Sequence, residues 1–202
     1  MTAVQGYLLG SCPTGYLVAK ACGVDIRKCG SGNIGATNVL RVLGKKKGYL
    51  VFLLDVLKGF VAVRLGFELA VIAPRAQPDL TSIIAGLACI LGHTFPIWLH
   101  FRGGKGVATS AGVLLGLMPV AVLSVFTIWL ALFKMTRYVS LASIIAAATL
   151  PIFVVVYLHF DLVAGRALLP FSVLIAGVVI WRHRSNMRRL LQGTEGRFGK
   201  TP

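Results

Sequence analysis

The chain has 202 residues, 56% of them hydrophobic and 13% charged, with a mean hydropathy of +0.82. Soluble domains carry about 25% charged residues, so this composition excludes one and implies an integral membrane protein. The net charge of +15 is of a size found in nucleic-acid binders, but the Lys and Arg residues lie in short segments between apolar runs, as in loops facing an anionic leaflet. No soluble basic surface can be assembled from them, which excludes nucleic acid as a partner.

Apolar runs occur near residues 3–19, 48–73, 82–101, 107–133, 139–158 and 168–181. The first begins almost at Met1 without a basic leader, so it is expected to be a mature span rather than a cleaved signal. The fourth run carries Pro119 near its middle and reads either as one helix or as two meeting at Leu117-Met118-Pro119. Charge separates the two. With the run divided, 17 of the 21 Lys/Arg residues fall on one side and 2, Arg75 and Arg166, on the other, whereas a single helix gives 10 against 9. The predicted fold is therefore an all-α integral membrane protein, a single polytopic domain over 1–202. It has seven transmembrane helices, some short, with the N-terminus outside and the C-terminus cytoplasmic. Gly6/Gly10 and Gly112/Gly116 fit close helix packing. Cys12, Cys22, Cys29 and Cys89 lack metal or redox spacing, and neither a metal nor a cofactor is implied.

Three polar segments fall on the predicted cytoplasmic face. The first, Gly30-Ser31-Gly32-Asn33-Ile34-Gly35-Ala36-Thr37-Asn38-Val39-Leu40-Arg41, fits the dinucleotide pattern G-x-G-x-x-G, but no strand precedes it and the acid twenty residues on, Asp55, lies inside an apolar run. Its uncharged donors and Arg41 suit phosphate oxygens. A capped membrane-edge helix with a solvated loop is the alternative, but turn chemistry does not call for Ser31, Asn33, Thr37, Asn38 and Arg41 together in so short a stretch. The second segment joins Gly92-His93 and Pro96 to Arg102-Gly103-Gly104-Lys105-Gly106-Val107-Ala108-Thr109, putting two cations and glycine-rich backbone ahead of an apolar helix whose N-terminus favours anions. His93 reads equally as a buried hydrogen-bonded residue or a reactive one. The third, starting at Trp181, sets His183 and Asn186 one turn apart at the mouth of a span, with Arg184 and Arg188 suited to lipid headgroups. Ser140 and Ser143 share a face at the start of the sixth run, as phosphate contacts or as a helix cap. Asp55 and Lys58 are expected to pair within their helix, relieving the cost of burying either charge alone.

Ser31-Gly32-Asn33-Ile34-Gly35-Ala36-Thr37-Asn38, Gly92-His93 through Gly106, and Arg182-His183 with Asn186, Arg189, Gly193 and Glu195 resemble, in this order, the bacterial acyl-phosphate:glycerol-3-phosphate acyltransferases. The likeness extends to Leu43-Gly44-Lys45-Lys46 and Asp55-x-x-Lys58-Gly59, and so covers nearly the whole chain. It implies transfer of a fatty acyl group from acyl phosphate to the sn-1 hydroxyl of glycerol 3-phosphate, giving lysophosphatidic acid and phosphate. The implied setting is the bacterial inner membrane, with the site on the cytoplasmic face among membrane lipids and a soluble enzyme that makes acyl phosphate as partner. None of His93, His100, His159 or His183 has an Asp five residues on, so the H-x-x-x-x-D signature of thioester-using acyltransferases is missing.

On that resemblance the expected catalytic residues are His183, Lys105 and Asn38. The expected substrate-binding set is Ser31, Gly32, Asn33, Gly35, Thr37, Arg41, His93, Arg102, Gly103, Gly104, Gly106, Ser140, Ser143, Asn186 and Glu195. The backbone of 30–35 and of 103–106 would hold acyl phosphate, while Lys105, Arg41 and His183 would hold glycerol 3-phosphate. Either His183 or the acyl phosphate's own oxygens would take the hydroxyl proton. A transporter of a phosphorylated metabolite is the competing class, but it would be expected to show pseudo-symmetric halves and polar groups at mid-membrane.

Overall fold

A computed structural model describes residues 2–73, 77–163 and 165–199. Among them the chain is helical without strands: α1 (Thr2–Ser11), α2 (Thr14–Ala21), α3 (Ala36–Leu43), α4 (Lys45–Ile72), α5 (Pro78–Thr94), α6 (Val107–Leu117), α7 (Pro119–Thr136), α8 (Val139–His159), α9 (Leu168–Arg182) and α10 (Arg184–Leu191). Three stretches, Pro78–Leu99, Pro119–Thr136 and Val139–His159, are long and apolar enough to cross a membrane. Arg75, assigned to the outer side above, lies outside the described residues.

The expected single span over 3–19 is broken in two. Pro13 has no N–H and its ring obstructs a continuing helix, so α1 stops at Ser11 and α2 starts at Thr14. That break leaves the Cys12 carbonyl available to a side chain from another helix. The expected division of the fourth run is present: Leu117 ends α6, Met118 leaves helical geometry (φ −151°, ψ 74°), and Pro119 opens α7 at a first-turn position where a missing N–H costs nothing.

The chain forms two compact units, residues 1–117 and 118–202. In the first, α5 packs against α1 and α4, and α4 also packs against α6. These helices approach to backbone distance: a Cβ on Gly10 would overlap the Cys89 carbonyl, and one on Gly112 the Val56 carbonyl. In the second unit α8 packs against α7 and α9. There Phe126, Trp129 and Phe133 stack along α7, and Phe198 from the tail meets Phe133 edge-on.

Candidate functional site

In the first unit, Asn38 on α3 turns inward and is 2% exposed. Its amide Nδ2 donates to the carbonyls of Ile26 (3.3 Å), Cys29 (3.0 Å) and Asn33 (2.9 Å), while Oδ1 accepts the Ser31 N–H at 2.9 Å. With both ends of the amide engaged, Asn38 shapes the 29–35 loop instead of presenting a group to a reactant. Two of the loop's own glycine amides are similarly occupied. Gly32 N–H donates to Cys29 O (3.0 Å) and Gly35 N–H to Asn33 Oδ1 (2.8 Å). These bonds tie the Ser31, Gly32 and Gly35 N–H groups to the chain's own oxygens and hold the loop against Asn38. Ser31 and Arg41 are exposed on it and Thr37 is half-buried.

The second segment folds back on the end of α5. Gly103 N–H donates to Thr94 O and Gly104 N–H to His93 O, both at 3.1 Å, so these two amides are also unavailable to an anion. Their glycines serve close approach: a Cβ on Gly103 would overlap the His93 carbonyl, and one on Gly104 would overlap His93 Nε2. Gly106, at φ 82°, turns the chain into α6. Lys105 is half-buried immediately before that helix and Arg102 is exposed. Around the same helix start, the Thr94, Thr109 and Ser110 hydroxyls are buried without a hydrogen-bond partner among the described residues. Thr109 closes the second polar segment, whereas Thr94 and Ser110 were not singled out in the sequence, where they read as ordinary residues of apolar helices.

Beneath the turn lies a buried polar cluster. Asp55 and Lys58 pair at 2.8 Å as expected, but the pair is not self-contained. Thr14 Oγ1 donates to Asp55 Oδ1 at 2.6 Å, and Lys58 Nζ reaches the Cys12 carbonyl at 3.0 Å and His93 Nδ1 at 2.9 Å. The signal that could have revealed this meeting was three ionisable residues in apolar runs, each of which needs a partner in a membrane.

In the second unit, Glu195 gathers the residues of the tail. Its Oε1 accepts from Ser140 Oγ (2.6 Å) and Asn186 Nδ2 (2.7 Å), and its Oε2 from Arg189 Nε (2.7 Å). Burial by itself would raise the Glu195 pKa. The hydrogen bonds from Ser140, Asn186 and Arg189, with the charge of Arg189, outweigh it and hold the carboxyl below its ordinary value. It is therefore an ionised clasp at the first turn of α8. Ser143 bonds to Val139 O (2.8 Å) and accepts from Trp129 Nε1 (3.1 Å), so it behaves as a helix-packing hydroxyl. His183, 3% exposed at the junction of α9 and α10, has Nδ1 2.8 Å from the Val179 carbonyl. A carbonyl only accepts, so Nδ1 carries the proton and Nε2 holds the lone pair in the neutral ring.

Residues 1–193 match the family described as Glycerol-3-phosphate acyltransferase. Glycerol-3-phosphate acyltransferases of Desulforamulus reducens and Geobacter sulfurreducens are 45% and 48% identical, over 99% and 98% of this chain and 95% and 96% of theirs. Two crystal structures of PlsY, an integral membrane glycerol 3-phosphate acyltransferase, superpose with TM-scores of 0.87 (glycerol 3-phosphate form) and 0.84 (lysophosphatidic acid form). Each is 43% identical, across 98% of this chain and 94% of that one. An all-helical membrane protein with these matches along almost its entire length belongs to the glycerol-3-phosphate acyltransferase family.

Proposed function

We propose that the chain transfers a fatty acyl group from acyl phosphate to the sn-1 hydroxyl of glycerol 3-phosphate, releasing lysophosphatidic acid and phosphate. The observation that carries this reading is Lys105 and Arg102 at a helix N-terminus on the edge of apolar helices, together with a solved relative described in a glycerol 3-phosphate form and in a lysophosphatidic acid form. Seven spans with a cytoplasmic C-terminus put all three polar segments on the cytoplasmic face of the bacterial inner membrane. A soluble enzyme can deliver acyl phosphate there, and the chain works as one membrane domain.

Lys105 and Arg41 act as point charge and bidentate fork for the phosphate of glycerol 3-phosphate. Ser31 and Thr37, on the scaffold shaped by Asn38, Asn33, Gly32 and Gly35, serve the acyl phosphate with Arg102 and the first turn of α6. His183 Nε2 takes the proton from the attacking hydroxyl and returns it to the departing phosphate, so that the carbonyl–oxygen bond to phosphate breaks, the ester forms and hydrogen phosphate leaves. Asn186, Glu195 and Ser140 hold the segment that follows His183. The rest of the acceleration comes from placement of the two substrates and from cations facing the developing oxyanion.

The test compares labelled product from palmitoyl phosphate and from palmitoyl thioesters in purified, detergent-solubilised protein. Product from the acyl phosphate alone is expected. Equal use of a thioester would overturn the donor assignment.

A further inference from the structure

The glycine turn that carries Lys105 stands on His93, and the side chain of His93 stands on a buried charge pair that the reaction does not use. Asp55, Lys58 and His93 are 1%, 5% and 5% exposed. An ammonium has three N–H donors and no lone pair. Lys58 Nζ has three partners within bonding distance: Asp55 Oδ1 at 2.8 Å, the Cys12 carbonyl at 3.0 Å and His93 Nδ1 at 2.9 Å. Two of these can only accept, so the third proton points at His93 and its Nδ1 must accept as well. Asp55 Oδ1 is farther from His93 Nδ1, at 3.4 Å, and already receives Thr14 Oγ1 at 2.6 Å along with the ammonium. A proton on Nδ1 would face the ammonium donor to donor at the shorter distance.

The imidazole proton is then on Nε2, the edge of the ring that lies against Gly104. The backbone of His93 and of Thr94 receives the Gly104 and Gly103 N–H groups. One residue thus supports the turn through both its main chain and its ring, and the next residue in the turn is Lys105.

We infer that Thr14, Asp55 and Lys58 are positioning residues that lock His93 in its Nε2–H tautomer and thereby seat the Gly103–Gly104 turn, so that Lys105 is aimed at the phosphate of glycerol 3-phosphate. This rests on the reading of Lys105 given above. The break at Pro13 belongs to the device, since the Cys12 carbonyl completes the cage of acceptors around Lys58. The cluster accounts for an otherwise costly pair of charges within an apolar helix.

The tautomer is measured directly in full-length protein labelled with 15N at histidine, with His93 assigned by the resonances lost in His93→Asn. A protonated Nε2 and an unprotonated, hydrogen-bonded Nδ1 are expected in the wild type. The charge-neutral double variant Asp55→Asn/Lys58→Met removes both ions together, which is far milder than stranding either one. It should lose that Nδ1 signature and raise KM for glycerol 3-phosphate by about 10- to 100-fold, the scale of a small misplacement of a binding group, with kcat changed by less than about threefold. Wild-type His93 protonated on Nδ1, or on both nitrogens, would overturn the inference whether or not the variant folds. A folded double variant with unchanged KM would overturn it too. An unchanged KM in Lys105→Ala, with the wild-type tautomer as expected, would instead remove the reading of Lys105 and leave the lock standing.

Discussion

The two units of the chain hold their helices by different means. In residues 1–117 glycines bring α1, α4, α5 and α6 to backbone contact, and a buried charge pair with a histidine fills the space left between them. In residues 118–202 a Cβ on Gly177, in α9, would meet nothing within 4 Å, and only 6% of the apolar window of α7 is buried, against 56% of that in α5. The second unit's strongest polar contacts sit at a helix end, around Glu195, outside the apolar stretch. Without a hydrophobic drive between helices in lipid, tight packing and hydrogen bonds must do the joining. The first unit uses both among its apolar helices, and its tolerance of substitution should be correspondingly lower.

Four substitutions sharpen or break this contrast, each read as loss of monodisperse protein on heating in detergent. Lys58→Met strands the Asp55 carboxylate and should cost about 3–5 kcal/mol, the usual penalty for breaking a buried pair from one side. Gly112→Val pushes a side chain into the Val56 carbonyl and should cost about 3 kcal/mol through overpacking. A mild effect in either would mean that the first unit relaxes far more easily than its geometry implies. In the second unit, Glu195→Gln weakens three hydrogen bonds to one carboxylate, and partial exposure of Arg189 limits the cost to about 2 kcal/mol. Gly177→Ala in α9, where a Cβ would meet nothing within 4 Å, should stabilise slightly, by about 0.5–1 kcal/mol, because alanine is the better helix former.

The Glu195 clasp also carries a pH dependence whose sign follows from its depressed pKa. The folded protein binds the Glu195 proton less readily than the unfolded chain, so its contribution is present above the ordinary carboxyl value of 4.5 and is lost as the pH falls below that through the folded value. The difference in melting temperature between wild type and Glu195→Gln should hold from neutral pH down to that value and shrink below it. A difference that grew on acidification would contradict an ionised clasp.

Much of this was legible in the sequence because it depends on local chemistry. Pro119 announced the division of the fourth run, Gly6/Gly10 and Gly112/Gly116 their close contacts, and Asp55-x-x-Lys58 its ion pair. What escaped depends on separations that no local pattern encodes. Thr14 reaches Asp55 across 41 positions and Lys58 reaches His93 across 35, and nothing near His93 points to either. Asn38 fits a donor for phosphate as well as it fits a donor for carbonyls, and only the inward turn of α3 decides between them. Ser140 and Asn186 were matched to a substrate for the same reason, whereas in the fold they meet a carboxylate. Pro13 was present to be read, but an apolar run long enough to span masked it.

The central claim is the proposal that Lys105 grips the phosphate of the acceptor and His183 takes its proton. It is tested most directly by steady-state kinetics of Lys105→Ala beside His183→Gln with varied glycerol 3-phosphate. Lys105→Ala should chiefly raise KM, and His183→Gln should lower kcat by about 100- to 10,000-fold with a smaller change in KM. A His183→Gln enzyme that retained its kcat and lost only affinity would contradict the account, leaving the acyl phosphate to take the proton itself.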